Sequence, residues 1–151
     1  MVEEGNILGH IISKEGIKID PSRVEGILKT GTLRSKKEVQ SFLGKVNFLR
    51  IFIPNLAEII KHITCMLRKG NEIKWSPEEN KSFEDIKVAL TKAHVLASSD
   101  FTKDFLLFSF ASEHTIVDVL LQKDEQDFEK PIAYFSRTLH DAPLRYDIME
   151  K

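Results

Sequence analysis

Residues 35–53 read SKKEVQSFLGKVNFLRIFI, and the rest of the chain is arranged about them. Ser35 is followed three residues on by Glu38, the pairing of a capping box at a helix start. Apolar side chains then recur at Val39, Phe42, Leu43, Val46, Leu49 and Ile53. Spacings of three and four residues, with Phe42 and Leu43 both so placed from Val39, set them on one continuous helical stripe. Pro54 ends the run, because the residue before a proline is pushed out of the α region. Phe48 and Phe52 widen the stripe, which predicts a second packing partner on that flank.

Upstream, NILGHII (6–12) is apolar and β-prone, SKEG (13–16) is a turn signal and IKI (17–19) resumes an extended pattern. The reading is a short β-hairpin. Asp20-Pro21 then opens a helix, with aspartate as N-cap and proline at the first helical position. It carries Val24, Ile27 and Leu28 and fades at Thr30-Gly31. Downstream, Asn55 starts a helix with Leu56, Ile59, Ile60, Ile63, Met66 and Leu67 on its stripe, ended by Gly70-Asn71. Ser76-Pro77-Glu78-Glu79 is a second capping box with proline at N1, followed by Phe83, Ile86, Ala89, Leu90 and Ala93. Beyond Asp100 the period changes. Phe105 to Phe110 is a dense apolar run that predicts a buried strand. Ile116–Gln122 and Pro131–Ser136 follow as strands separated by a turn at 123–126, and the tail DAPLRYDIMEK starts a helix that stops early.

The chain has 151 residues, enough for one domain or two small units sharing an interface. Hydrophobic content of 42% against 30% charged residues describes a folding chain rather than a disordered one. No apolar run approaches the roughly 20 residues that cross a bilayer, and MVEEGN lacks the basic start of a secretory signal, so no membrane partner is expected. A single cysteine, Cys65, excludes an internal disulfide framework and suits an intracellular compartment, cytoplasmic or nuclear. The net charge of −1 conceals a split. Residues 1–75 hold 13 Lys/Arg against 8 Asp/Glu, whereas residues 76–151 hold 9 against 15. A basic first half is compatible with phosphate contact.

Four stretches in order, GHIISKEGIKIDP, SFLGKVNFLRIFIPN, IKWSPEENKSFEDIKVALTKAHVL and PIAYFSRTL, resemble the pol polyprotein of gypsy-class LTR retrotransposons. The resemblance runs over nearly the whole chain. It implies an α+β fold: an N-terminal β-hairpin, three to four helices of thumb and connection type, then a partial RNase H-like sheet of three antiparallel strands with a truncated helix. It divides the chain into the end of the reverse transcriptase palm (1–31), thumb helices (32–70), connection (71–103) and an incomplete RNase H-like domain (104–151). Intact members use Mg²⁺ held by carboxylates, which stabilises both the attacking and leaving oxygens of the phosphodiester.

The departures from the family pattern carry the functional expectation. No adjacent aspartate pair occurs here. Where the family's first RNase H strand reads Thr-Asp-Ala-Ser, this chain has Ser109-Phe110-Ala111-Ser112, so Phe110 stands at a lost metal-ligand position. Tyr146, Glu150 and Lys151 match the stretch before the next carboxylate, and the chain ends one residue short of it. The expectation is therefore a non-catalytic fragment with no catalytic residue, no metal and no cofactor of its own. Its remaining activity would be weak, sequence-independent binding of an RNA-DNA or DNA duplex through Lys36, Lys37, Lys45 and Arg50. The alternative is a co-opted interaction module that binds a protein partner, or itself, through the open sheet edge.

Other residues carry plainer readings. The five histidines (10, 62, 94, 114, 140) lack ligand spacing. Asp104, Glu113 and Asp118 read as solvated strand-end carboxylates, Cys65 as an inert thiol, and Trp75 as an anchor between connection and thumb. Asp118 stands where the family has glycine, and a carboxylate near a buried strand costs several kcal/mol, roughly, unless it reaches water or a partner. The C-terminal third is accordingly expected to be less stable than residues 20–95.

Overall fold

In a computed structural model, residues 4–68 and 70–139 are described. The expected C-terminal helix, with Tyr146, Glu150 and Lys151, lies outside them. The fold is α+β, with four helices between two three-stranded antiparallel sheets. Strands β1 (Glu4–Ile7), β2 (His10–Ser13) and β3 (Gly16–Ile19) form the first sheet in sequence order. The expected single strand over 6–12 is thus divided, and the hairpin becomes a three-stranded meander. The cause is a tight turn at Leu8 (φ 53°) and Gly9 (φ 81°), both left-handed. A leucine in that conformation gives no turn signal in the sequence. Gly16 is fixed by packing, since a Cβ there would lie 2.1 Å from the carbonyl oxygen of Leu96. Ile17 and Leu96 exchange backbone hydrogen bonds of 2.7 and 2.8 Å beside it, tying the first sheet to the far end of the helical layer.

Helix α1 (Pro21–Leu28) begins as anticipated, with the Asp20 carboxylate accepting from Ser22 N and proline in the first turn. Helix α2 (Lys36–Phe48) begins with the full capping box. The Ser35 hydroxyl accepts from Glu38 N at 3.2 Å, and the Glu38 carboxylate accepts from Ser35 N and Arg34 N. Val39, Phe42, Val46, Leu49 and Ile53 are buried, as the stripe predicts. The helix does not run unbroken to Ile53. It closes at Phe48, and a short 3-10 turn (Arg50–Phe52) leads to Ile53, extended (φ −113°, ψ 111°) ahead of Pro54. The tighter winding puts Leu49 and Phe52 on one side, and both are buried.

Helix α3 (Leu56–Cys65) is shorter than the sequence suggested. Asn71 Nδ2 donates to the Cys65 carbonyl at 2.8 Å, closing the helix end before Gly70 is reached. Asn55 precedes α3 in a left-handed conformation (φ 52°) and its side chain makes no cap. Helix α4 (Pro77–Thr91) has the second capping box, with Ser76 and Glu79 bonded reciprocally. Trp75 anchors as expected: its indole N–H donates to the Leu33 carbonyl at 2.8 Å and its ring meets Phe83 edge-on. One apolar core joins Ile27, Leu33, the α2 stripe, Leu56 and Ile63 of α3, and Ile86 and Leu90 of α4.

The second sheet pairs β4 (Leu106–Ala111), β5 (Thr115–Lys123) and β6 (Glu129–Thr138) in order. The expectation of a buried strand at 105–110 is corrected here. Leu107 is 65% exposed, Phe108 43% and Phe110 62%. Strand β4 lies at the edge, farthest from the helices, so its run of apolar residues has nothing to cover it among the described residues. Strand β6 occupies the opposite edge and meets the helical layer. Asp118 is half-buried in β5, opposite Ser109 and Phe135. Buried Gln122 secures the approach to the sheet, accepting from Asp100 N and donating to the carbonyls of Asp100 and Lys103. No described helix is long and apolar enough to cross a membrane.

Candidate nucleic-acid interface

The four basic residues singled out by the sequence separate into two pairs. Lys36 is half-buried and donates to the Arg68 carbonyl at 3.2 Å, across to the end of α3. Arg50 turns toward the second sheet: Nη2 donates to the Ser136 carbonyl at 2.8 Å and the guanidinium sits 4.7 Å from the Phe135 ring centre. Both hold the fold together. Lys37 and Lys45 remain on the outer face of α2, exposed with Gln40, Ser41, Gly44 and Asn47. A Cβ at Gly44 would meet nothing within 4 Å, so the helix backbone is laid bare at the centre of this face.

The sequence did not point to Arg23, on α1. Its guanidinium lies 4.5 Å from the Phe48 ring centre, at the end of α2. Gly9 leaves the space that this side chain fills; a Cβ there would lie 1.8 Å from Arg23 Nε. The His10 ring stacks on Phe48 at 5.0 Å with an interplanar angle of 2°. The Leu8-Gly9 turn, Arg23, Phe48 and the outer face of α2 are therefore one continuous surface. Arg23 also works against a charge on His10. Burial first, and the neighbouring guanidinium second, hold the imidazole pKa below its usual value. His10 Nε2 is buried with no hydrogen-bond partner. The glycine at position 9 is the only trace of this contact in the sequence, and it reads there as an ordinary turn residue.

Between α1 and α2 a notch of about 200 Å³ is lined by Arg23, Gly26, Ile27, Lys45 and Leu49. Among the described residues neither cation of this notch pairs with a carboxylate. Glu25 nearby is taken by Lys29, and Asp20 is held by Ser22 and Asn6. Those bonds from Ser22 and Asn6 keep the Asp20 carboxyl below the ordinary carboxylate range.

The second sheet does not offer a metal-binding arrangement. Phe110 lies opposite Val117 in the β4–β5 register, so the position equated with a metal ligand is flanked by hydrocarbon. Asp118 is opposite Ser109 instead, on the other face of the sheet. Among the described residues no three His, Cys, Asp or Glu side chains converge. Cys65 is half-buried at the end of α3.

Residues 75–151 match the family described as an RNase H-like domain found in reverse transcriptase. The Pol polyprotein of Drosophila melanogaster transposon 297 is 37% identical over 150 residues, which is 99% of this chain. The transposon Tf2-3 polyprotein of Schizosaccharomyces pombe is 33% identical over 144 residues. The chain spans 14% and 11% of the length of these two relatives. A foamy viral protease-reverse transcriptase solved in complex with dsDNA superposes with a TM-score of 0.85 at 31% identity, covering 99% of this chain and 31% of that one. The same foamy viral protein solved with an RNA/DNA hybrid gives a TM-score of 0.83 over 98% of this chain and 20% of that one. With the fold, the matched family and the shared sequence in agreement, the chain belongs to the RNase H-like family of reverse transcriptases, in a segment shared with retrotransposon Pol polyproteins.

Proposed function

We propose that this chain holds a nucleic-acid duplex without reading its sequence, using the outer face of α2 as the contact surface. The observation that carries the reading is that face itself: Lys37 and Lys45 flank the uncovered backbone at Gly44. Cations there would meet phosphates, and the bare helix would let the sugar edge of a groove come close. Such contacts position a duplex but carry no base information. The superposition on a protein solved with DNA and with a hybrid supports this reading. In this assignment residues 1–31 are the end of the palm, 32–70 act as a thumb, 71–103 as the connection and 104–151 as an incomplete RNase H-like domain. Phe110 and the scattered carboxylates of the sheet support the further reading that the chain cleaves no phosphodiester by itself. Magnesium-dependent cutting of a hybrid by the purified chain would contradict that.

Fluorescence anisotropy with short RNA-DNA and DNA duplexes of several sequences, at 50 to 200 mM salt, tests the binding. Two phosphate contacts give a log–log salt slope of about −1.8, roughly 12-fold weakening over that range, with no dependence on base order. Absence of binding at 50 mM, or a slope near zero, contradicts it.

A second reading has its own observation. Strand β4 carries no lysine, proline or bulge, the features that normally keep an edge strand from pairing. It is also self-complementary. Antiparallel pairing about a two-fold axis centred on Phe108 sets Leu106 against Phe110 of the partner subunit and brings Lys103 opposite Glu113 of the partner subunit. Sedimentation equilibrium decides it: a dimer that Phe108→Lys dissociates supports self-association, and a monomer at tens of micromolar rejects it.

A further inference from the structure

We propose that Arg23 completes, with Lys45, a phosphodiester subsite in the notch between α1 and α2; Arg23 is the contact additional to Lys37 and Lys45, and the inference rests on the duplex-binding reading. Arg23 is placed in advance of any ligand. Its guanidinium lies against the Phe48 ring at 4.5 Å, in space that only a glycine at position 9 leaves open. A planar guanidinium held in this way loses little freedom when two of its N–H groups meet two phosphate oxygens. Lys45 supplies a second positive charge from the facing helix. The walls between them are the apolar side chains of Ile27 and Leu49.

The lining also says what the ligand is not. Apart from the two cations it offers no side-chain hydrogen-bonding group, so nothing there would recognise a base or a ribose hydroxyl. An anion with several equivalent oxygens suits it, and its volume of about 200 Å³ accommodates one phosphate with its ester oxygens. Gly26, whose Cβ position has nothing within 4 Å, leaves the α1 side open to an approaching strand. Glu25 is paired with Lys29, and Asp20, whose carboxylate also interacts electrostatically with Arg23, forms no ion pair with either notch cation among the described residues. Lys45 belongs to the same exposed face as Lys37 and Gly44, so a strand lying on α2 would continue into the notch.

The test compares salt slopes of duplex binding for the unaltered chain, Arg23→Gln, Lys45→Gln and a control, Lys81→Gln, on the exposed side of α4. With Lys37, Arg23 and Lys45 all on phosphate the slope is about −2.7, roughly 40-fold weakening between 50 and 200 mM salt. Each notch variant should reduce this to about 12-fold, and Lys81→Gln should leave it unchanged. A slope that Lys45→Gln lowers and Arg23→Gln leaves unchanged overturns the subsite while leaving duplex binding intact, whereas equal slopes in all four proteins contradict the α2 reading as well. Lys45→Gln keeps the Arg23–Phe48 contact, so a folding defect does not confuse its result. Titration with inorganic phosphate, followed at the Arg23 Nε–H resonance, reads the notch without a duplex. A saturating shift that Lys45→Gln weakens supports the subsite, and no shift rejects it even where the duplex binds. Should the duplex fail to bind, the reading of α2 falls and this titration alone decides the notch.

Discussion

Gly44 sits mid-helix where alanine would be the better helix former, and no neighbour requires it. Gly44→Ala should stabilise α2 by about 0.5–1 kcal/mol, which raises the melting temperature of a chain this size by roughly 1–4 °C. If a duplex approaches the bare backbone, the same methyl weakens binding. Higher stability with lower affinity is the predicted pair of outcomes, read by thermal melting and anisotropy; unchanged affinity removes Gly44 from the contact. His10 gives a pH dependence. Burial first and Arg23 second disfavour the charged imidazole and hold its pKa below the usual value in the fold. The unfolded chain takes up that proton near pH 6.5 or so. The contribution to stability is therefore complete above that value and is lost as the pH falls below it. Urea midpoints between pH 8 and pH 5 should decline for the unaltered protein, and His10→Phe should flatten the part of the decline between pH 7 and pH 5.

At the scale of elements, local signals and tertiary ones separate cleanly. Ser35 with Glu38, Ser76 with Glu79 and Asp20 with Pro21 formed the helix starts they announced, because capping partners lie within four residues. The α2 stripe was legible for the same reason. The start of α3 was not. Asn55 leaves its cap unmade, and the Ser136 hydroxyl, on β6, accepts from Ala57 N at 2.8 Å in its place. A cap supplied from 79 residues away leaves no local pattern to read. Arg50 and Arg23 escaped for the same reason, one bonded to β6 and the other seated over Gly9. The buried apolar strand was misjudged because density of hydrophobic residues says what a segment would bury, and not whether a neighbour is there to bury it. Ser136→Ala leaves the Ala57 N–H buried and unpaired, which should cost about 1–3 kcal/mol. Differential scanning calorimetry against Ser41→Ala, an exposed control, measures it.

Across the whole molecule, stability is concentrated in the helical layer. Its buried side chains run from Ile27 to Leu96, and Leu139 is the only buried hydrophobic beyond them among the described residues. The second sheet is attached along one edge by Arg50, Ser136 and the bond from Ala97 N to the Pro131 carbonyl. Its far strand has apolar side chains in solvent. Amide exchange should be slowest in α2 and α4 and faster by orders of magnitude in β4, since local opening there exposes little new apolar surface. Equal protection in the two regions would show that the sheet is stabilised by something other than this edge contact.

The most direct examination of the central claim is amide exchange with and without an RNA-DNA duplex. Residues 36–48 and the Leu8-Gly9 turn should gain protection on adding the duplex, while β4 stays unchanged. Protection confined to the second sheet, or no change along α2, would contradict the claim that this helix face is where a duplex is held.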